Sequence, residues 1–151
     1  MRIHLDQIPS EGLALEGEES CEVLTIDDHQ TWFEQPLCYA LFASIVSDSL
    51  LVKGRLWTKV SLACGRCLTK FVHPLVVDEF FFEEELGQRH WFDLTENLRE
   101  DILLQLPQRA LCEPTCKGLC PVCGQNLNVK LCGCKESFRG GLGTMSSLLK
   151  I

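Results

Sequence analysis

The chain has 151 residues, is 46% hydrophobic and 23% charged, and carries a formal charge of −7. That is about one ordinary globular domain, and it excludes a largely disordered or collagen-like polypeptide. The summed field repels phosphate, so the molecule as a whole is no nonspecific polyanion binder, and any nucleic-acid contact must be local.

The charge is unevenly spread. Residues 1–36 hold one basic and nine acidic side chains, whereas residues 112–151 hold five basic and two acidic ones. An acidic front and a basic tail suggest unlike partners for the two ends. The longest apolar stretch, Leu37–Val46, is half of the ~20 residues a membrane span requires, and the acidic first twenty residues lack a signal-peptide pattern. A soluble cytoplasmic protein with no membrane partner is expected.

In chain order, Arg2–Leu5, Leu13–Leu15 and Glu22–Ile26 read as short strands, and Asp27–Pro36 as a loop. The continuous apolar run Leu37–Val46 reads as a buried strand. After the turn at Ser47–Ser49, Leu50–Leu62 alternates. Val52, Leu56, Val60 and Leu62 lie on one face; Lys53, Arg55, Trp57, Lys59 and Ser61 lie on the other. Thr69–Glu83 is a third strand with Phe71, Leu75 and Val77 inward, and Phe80–Phe82 breaks its alternation, predicting a bulge near Asp78.

Asp93 and Glu96 have capping-box spacing, and Leu94, Leu98, Ile102, Leu103 and Leu106 recur at helical intervals until Pro107. The expected fold class is therefore α+β: an antiparallel β-meander or partly closed sheet, one main packed helix, and a C-terminal Cys-rich zinc-binding module. The divisions are an α+β domain at 1–111, with acidic segment 1–36, meander 37–85 and helix about 94–106, followed by a metal-binding tail at 112–151. Leu142, Met145, Leu148 and Leu149 predict a short docking helix at the end of that tail.

Six of the ten cysteines lie between Cys112 and Cys134. In an unexported protein such thiols stay reduced, so paired spacings point to metal or redox chemistry. Two thiolates separated by two residues hold one ion through a tight turn, and a second pair completes a tetrahedral four-sulfur site. Cys120-Pro-Val-Cys123-Gly is the clearest such knuckle, its glycine supplying a positive φ. A tail this short with no apolar core draws its folding free energy from the metal. Zinc is favoured, with an iron–sulfur cluster as the rival.

The second pair, Cys64-Gly-Arg-Cys67, sits between two strand patterns. It is either a zinc knuckle at a hairpin turn or a redox pair whose thiols Arg66 activates. Eight thiolates would serve two ions, with Cys120, Cys123, Cys132 and Cys134 in one site and Cys112, Cys116, Cys64 and Cys67 in the other; one ion is the alternative count. Cys21, Cys38 and His73 read as plain core residues. Lys53, Arg55, Trp57 and Lys59 put phosphate-binding charge and a stacking ring on one strand face, the pattern used for single-stranded RNA. The bland alternative is a solvated strand face. No Ser–His–Asp order, phosphate-cradling loop or carboxylate pair stands out, so neither an enzyme nor a small-molecule substrate is expected.

Cys64-Gly-Arg-Cys67-Leu, a helix ending in Leu-Pro some forty residues later, and the tail Leu111-Cys-Glu-Pro-Thr-Cys-Lys-Gly-Leu-Cys-Pro-Val-Cys-Gly-Gln-Asn-Leu-Asn128 with Cys132-Gly-Cys134 resemble the bacterial YceD family, the large ribosomal RNA subunit accumulation proteins. The specific matches cover roughly residues 60–135. The resemblance implies a metal-binding, nucleic-acid-binding protein without enzymatic activity. It also implies a role in synthesis, processing or stability of large-subunit ribosomal RNA, with that RNA or an assembling large-subunit protein as partner. The acidic N-terminal segment could engage a basic ribosomal protein. Two other readings are open: a redox or chaperone protein cycling Cys64 and Cys67, and a zinc-ribbon protein-interaction module.

Overall fold

The computed structural model describes residues 1–134. The terminal helix expected from Leu142, Met145, Leu148 and Leu149 lies outside the described residues.

The long strands follow the alternation that the sequence carries. Strands β4 (Leu37–Val46), β5 (Ser49–Ala63) and β6 (Lys70–Glu85) run antiparallel in succession, and β2 (Leu13–Glu19) pairs with β4. A two-residue strand β3 (Thr31–Trp32) pairs with Leu62 and Ser61 of β5, inside the segment read from sequence as loop. The remaining pair is local to the helix: β1 (Arg2–His4) lies antiparallel to β7 (Trp91–Asp93), immediately before helix α1 (Thr95–Leu104).

The bulge predicted near Asp78 is present. Gly54 faces Phe80 and Leu56 faces Val77, so Asp78 and Glu79 together oppose Arg55 alone. Gly54 is required there, because a Cβ would stand 2.2 Å from the Ala40 carbonyl oxygen. The Arg55 guanidinium meets Asp78 at 2.9 Å across the irregularity.

One face of the sheet forms the core. Leu41, Val52, Leu56, Val60, Leu75, Val77 and Phe80 pack against Leu98 and Ile102 of α1, together with Leu24. Burying such side chains fully stabilises by about 1.5–3 kcal/mol each, which is why the inward set is so uniformly apolar. Thr58, the one polar residue buried among the described residues, donates its hydroxyl to the Pro36 carbonyl at 2.9 Å.

Four local expectations change. Residues 22–26 are no strand: Cys21–Leu24 is a 3-10 turn begun by Ser20, whose hydroxyl accepts the Glu22 N–H, and it seats Leu24 in the core. β4 is buried on one face only; Leu37, Leu41 and Ala43 point in, while Phe42 and Val46 are exposed, because no element among the described residues covers the other side. Helix α1 is shorter than 94–106; Leu94 is its N-cap, and Asp93, one residue earlier, accepts the Thr95 N–H at 3.0 Å with no exchange with Glu96. Hydrogen bonds from Thr95 hold the Asp93 carboxyl at about 2, well below the usual carboxylate range. Cys21 and Cys38 are half-buried rather than core residues.

Candidate metal centre

The turn joining β5 to β6 brings the first thiol pair into position. The Leu68 N–H bonds the Cys64 carbonyl at 2.9 Å, the Cys64 N–H bonds the Thr69 carbonyl at 3.0 Å, and the Arg66 N–H points at the Cys64 sulfur at 3.5 Å. The chain leaving α1 then passes beneath this turn, where the Gly65 N–H reaches the Ala110 carbonyl at 2.8 Å and delivers Cys112 and Cys116. The Cys64–Cys116 sulfurs are 3.8 Å apart and the Cys67–Cys112 sulfurs 3.7 Å.

Those separations carry chemical information. A disulfide needs about 2.05 Å, so these are not bonded pairs. Four thiolates at about 2.3 Å from a central zinc give a tetrahedron whose edges are about 3.8 Å. All four sulfurs of Cys64, Cys67, Cys112 and Cys116 lie within 4.8 Å of one another, as do those of Cys120, Cys123, Cys132 and Cys134. Both four-cysteine groups could thus hold a single ion. A multi-iron cluster would spread its ligands farther, because its own iron and sulfide atoms separate them.

The second knuckle repeats the first bond for bond. The Gly124 N–H meets the Cys120 carbonyl at 2.9 Å, the Cys120 N–H meets the Gln125 carbonyl at 2.8 Å, and the Val122 N–H points at the Cys120 sulfur at 3.4 Å. The residue after the second cysteine has positive φ in both turns: Gly124 at 72° and Leu68 at 59°.

Electrostatics divide each group in the same way. Burial pushes the Cys64 thiol up, but the N–H groups of Cys112, Arg66 and Cys67 outweigh it and leave it at about 6. The Thr69 hydroxyl and N–H hold Cys67 down as well. Burial and the neighbouring sulfurs push Cys112 up to about 12. In the other group, the N–H groups of Cys123 and Val122 bring Cys120 to about 6, while the Cys123 sulfur and burial push Cys134 to about 12. A thiolate-rich cage that crowds its own protons favours a cation, and loading releases those protons.

Three contributions were not foreseen. Arg66, read from sequence only as a charge near thiolates, donates to the Cys116 carbonyl at 2.9 Å. Asn128 donates its amide to the Cys116 sulfur at 3.2 Å and accepts the Lys117 N–H at 2.8 Å, although it lies between the two halves of the other group. Asn126 accepts from the Asn128 N–H at 2.9 Å and reaches the Thr69 hydroxyl at 3.4 Å. The alternating Asn-Leu-Asn beside a knuckle was the available signal. The RNA candidates Lys53, Arg55, Trp57 and Lys59 are together on the exposed face of β5. His73 is half-buried and packs edge-on to Phe71.

An antiparallel sheet with one helix, whose β5–β6 turn and Cys-rich segment share one four-sulfur cage while the segment alone forms a second, defines a protein with two candidate metal sites. Among the described residues no helix is long and apolar enough to cross a membrane. Residues 78–140 match the family model described as large ribosomal RNA subunit accumulation protein YceD, a stretch that takes in the tail cysteines and leaves out Cys64 and Cys67. The relatives include the large ribosomal RNA subunit accumulation protein YCED homolog 1, chloroplastic, of Zea mays, 39% identical over 38% of this chain and 20% of the relative. Its namesake in Arabidopsis thaliana is 32% identical over 47% of this chain and 22% of the relative. An uncharacterized protein of Mycobacterium tuberculosis is 32% identical over 52% of this chain and 45% of its own length. The chain thus spans about a fifth of the plant relatives and under half of the mycobacterial one. No solved structure matches it.

Proposed function

We propose that this protein is a non-enzymatic ribosome biogenesis factor that supports accumulation of large-subunit ribosomal RNA by binding a component of the assembling subunit in the cytoplasm. The observation that carries the reading is the match of residues 78–140 to the YceD family model, which takes in α1 and both Cys-rich stretches of the tail. The ribosome-related role follows from the printed names of the relatives.

In this reading each four-cysteine group holds one zinc ion as a structural element. Zinc asks only for tetrahedral sulfur, and the 3.7 and 3.8 Å edges of the first cage agree with that demand. The redox alternative needs an accessible thiolate pair, whereas Cys64 is fully buried and Cys67 is 6% exposed.

The experiment is twofold. Elemental analysis of protein purified without added metal should return two zinc per chain; iron would sink the choice of metal. Cells deprived of the protein should show a reduced ratio of large- to small-subunit ribosomal RNA, restored by the wild-type chain. An unchanged ratio would end the ribosomal reading.

A further inference from the structure

The outward face of the sheet carries an organised surface that neither metal cage uses. Strand β4 presents Cys38, Ala40 and Phe42, and β6 presents Val72, Pro74 and Val76, two apolar rails on either side of β5. Phe42 and Phe81 flank Lys53 in one cross-strand row. Trp57 stands in another, between Cys38 and Val76. The exposures are large: 39% for Phe42 and Trp57, 60% for Phe81 and 63% for Val72. Scattered exposed apolar residues need no explanation, but side chains adjoining across three strands mark an interaction surface.

Charge decides what the surface fits. The central strand offers Lys53, Arg55 and Lys59, yet Arg55 is already bound to Asp78. Glu16 and Glu18 of β2 border the face on one side, facing Ala40 and Cys38, and Glu83 and Glu85 border it at the far end of β6. Strands are ~4.8 Å apart, so Glu16 lies about two strand spacings, roughly 10 Å, from Arg55. That exceeds the Debye length of about 8 Å at physiological salt, so the rim acids act on an incoming ligand beside them more than on the central cations. With Lys70 at the start of β6, four cations stand among five acids, and the small negative balance opposes a phosphate backbone. The same rim attracts lysine and arginine.

We propose that this face docks a basic, apolar-bearing protein segment, its Leu- or Val-type side chains lying on the rails and its cations on the glutamate rim. The proposal rests on the ribosomal reading and names the class of partner within it: a basic protein rather than RNA. Aromatic anchors inside a charged rim are the usual anatomy of such an interface.

The test uses the full metal-loaded chain and three labelled probes: a twelve-residue peptide alternating Lys/Arg with Leu/Val, a peptide of equal charge alternating Lys/Arg with Gly/Ser, and a twelve-nucleotide single-stranded RNA. The Leu/Val peptide should bind at least tenfold more tightly than the Gly/Ser peptide. Trp57→Ser with Phe81→Ser should weaken it at least tenfold, as should Glu16→Lys with Glu18→Lys, with metal content unchanged in both variants. Equal binding of the two peptides overturns the proposal. So does RNA binding that Lys53→Glu abolishes, which would give the face to RNA, or sedimentation as a dimer that Trp57→Ser with Phe81→Ser dissolves. In cells, a Trp57→Ser/Phe81→Ser chain that sustains normal ribosomal RNA levels defeats the docking proposal and leaves the ribosomal reading standing; loss of the whole protein without effect defeats that reading alone.

Discussion

The two knuckles share one hydrogen-bond diagram but have opposite settings. Cys64-Gly-Arg-Cys67 closes the β5–β6 hairpin, its sulfurs are buried, and it meets Cys112 and Cys116 from about fifty residues away. Cys120-Pro-Val-Cys123 sits in the tail, Cys123 is exposed, and its partners Cys132 and Cys134 are near in sequence. The first cage therefore ties tertiary structure together, and the second orders a local loop. A metal that closes a long loop removes more conformational freedom from the unfolded chain than one that closes a short loop, though the dependence on length is only logarithmic. Burial adds to the difference, since a thiolate left without its cation in the first cage has no water to fall back on.

The widest separation between the two cages should come from ligand removal. Cys116→Ser and Cys123→Ser should each reduce the metal content from two ions to one. By differential scanning calorimetry, Cys116→Ser should lower the melting temperature by on the order of 10 °C or more, as expected for a loss of several kcal/mol from a domain of this size. Cys123→Ser should shift it by less than about 4 °C, corresponding to roughly 1 kcal/mol. Equal shifts would mean that the two cages have equal structural weight.

Asn128 connects the two settings, because it belongs by sequence to the second cage and by hydrogen bond to Cys116 of the first. Groups that orient a metal ligand from behind commonly contribute about 10–100-fold to affinity. Asn128→Ala should keep both ions at saturation and lower the affinity of the first cage by about tenfold in chelator competition. Loss confined to the second cage would break the link.

Leu68 and Gly124 allow a finer comparison. Both residues have positive φ, which costs a side-chain-bearing residue about 1–2 kcal/mol, and Leu68 is 63% exposed, so it gives up little packing. Leu68→Gly should stabilise the protein by about 1 kcal/mol against denaturant, and Gly124→Leu should weaken the second cage by a similar amount. Opposite signs at equivalent positions would confirm that the turns are the same object.

Asp93 gives an effect no larger than these and serves as a control that belongs to neither cage. Removing a side-chain acceptor from the N–H at a helix start costs about 1 kcal/mol, so Asp93→Ala should lose about that at neutral pH in urea denaturation. The folded carboxyl sits near 2, below its unfolded value of ~3.9. Its contribution is therefore complete above about pH 4 and fades as pH falls toward 2. The gap between wild type and variant should narrow over that window.

While only the fold assigned the eight thiols to their two sets, the primary sequence by itself carried the strand alternation of β5 and β6, the interruption at Asp78, the core positions of α1 and the pairing of cysteines at metal-ligand spacing. Each of these is written in periodicity or spacing, which the local backbone obeys. The long apolar run of β4 was misleading because hydropathy records what a residue prefers, not whether another element arrives to cover it. Phe42 and Val46 stay partly open since no helix or strand among the described residues lies over that face. The turn at Cys21–Leu24 depended on a single serine cap and on the space beneath α1 that Leu24 fills. Folding alone decided that Asn128 would reach the Cys116 sulfur and that Glu16 and Glu18 of β2 would fall in the cross-strand rows of Arg55 and Trp57 of β5. Those relations join residues distant in sequence, and charge and hydrogen bonding act through space rather than along the chain.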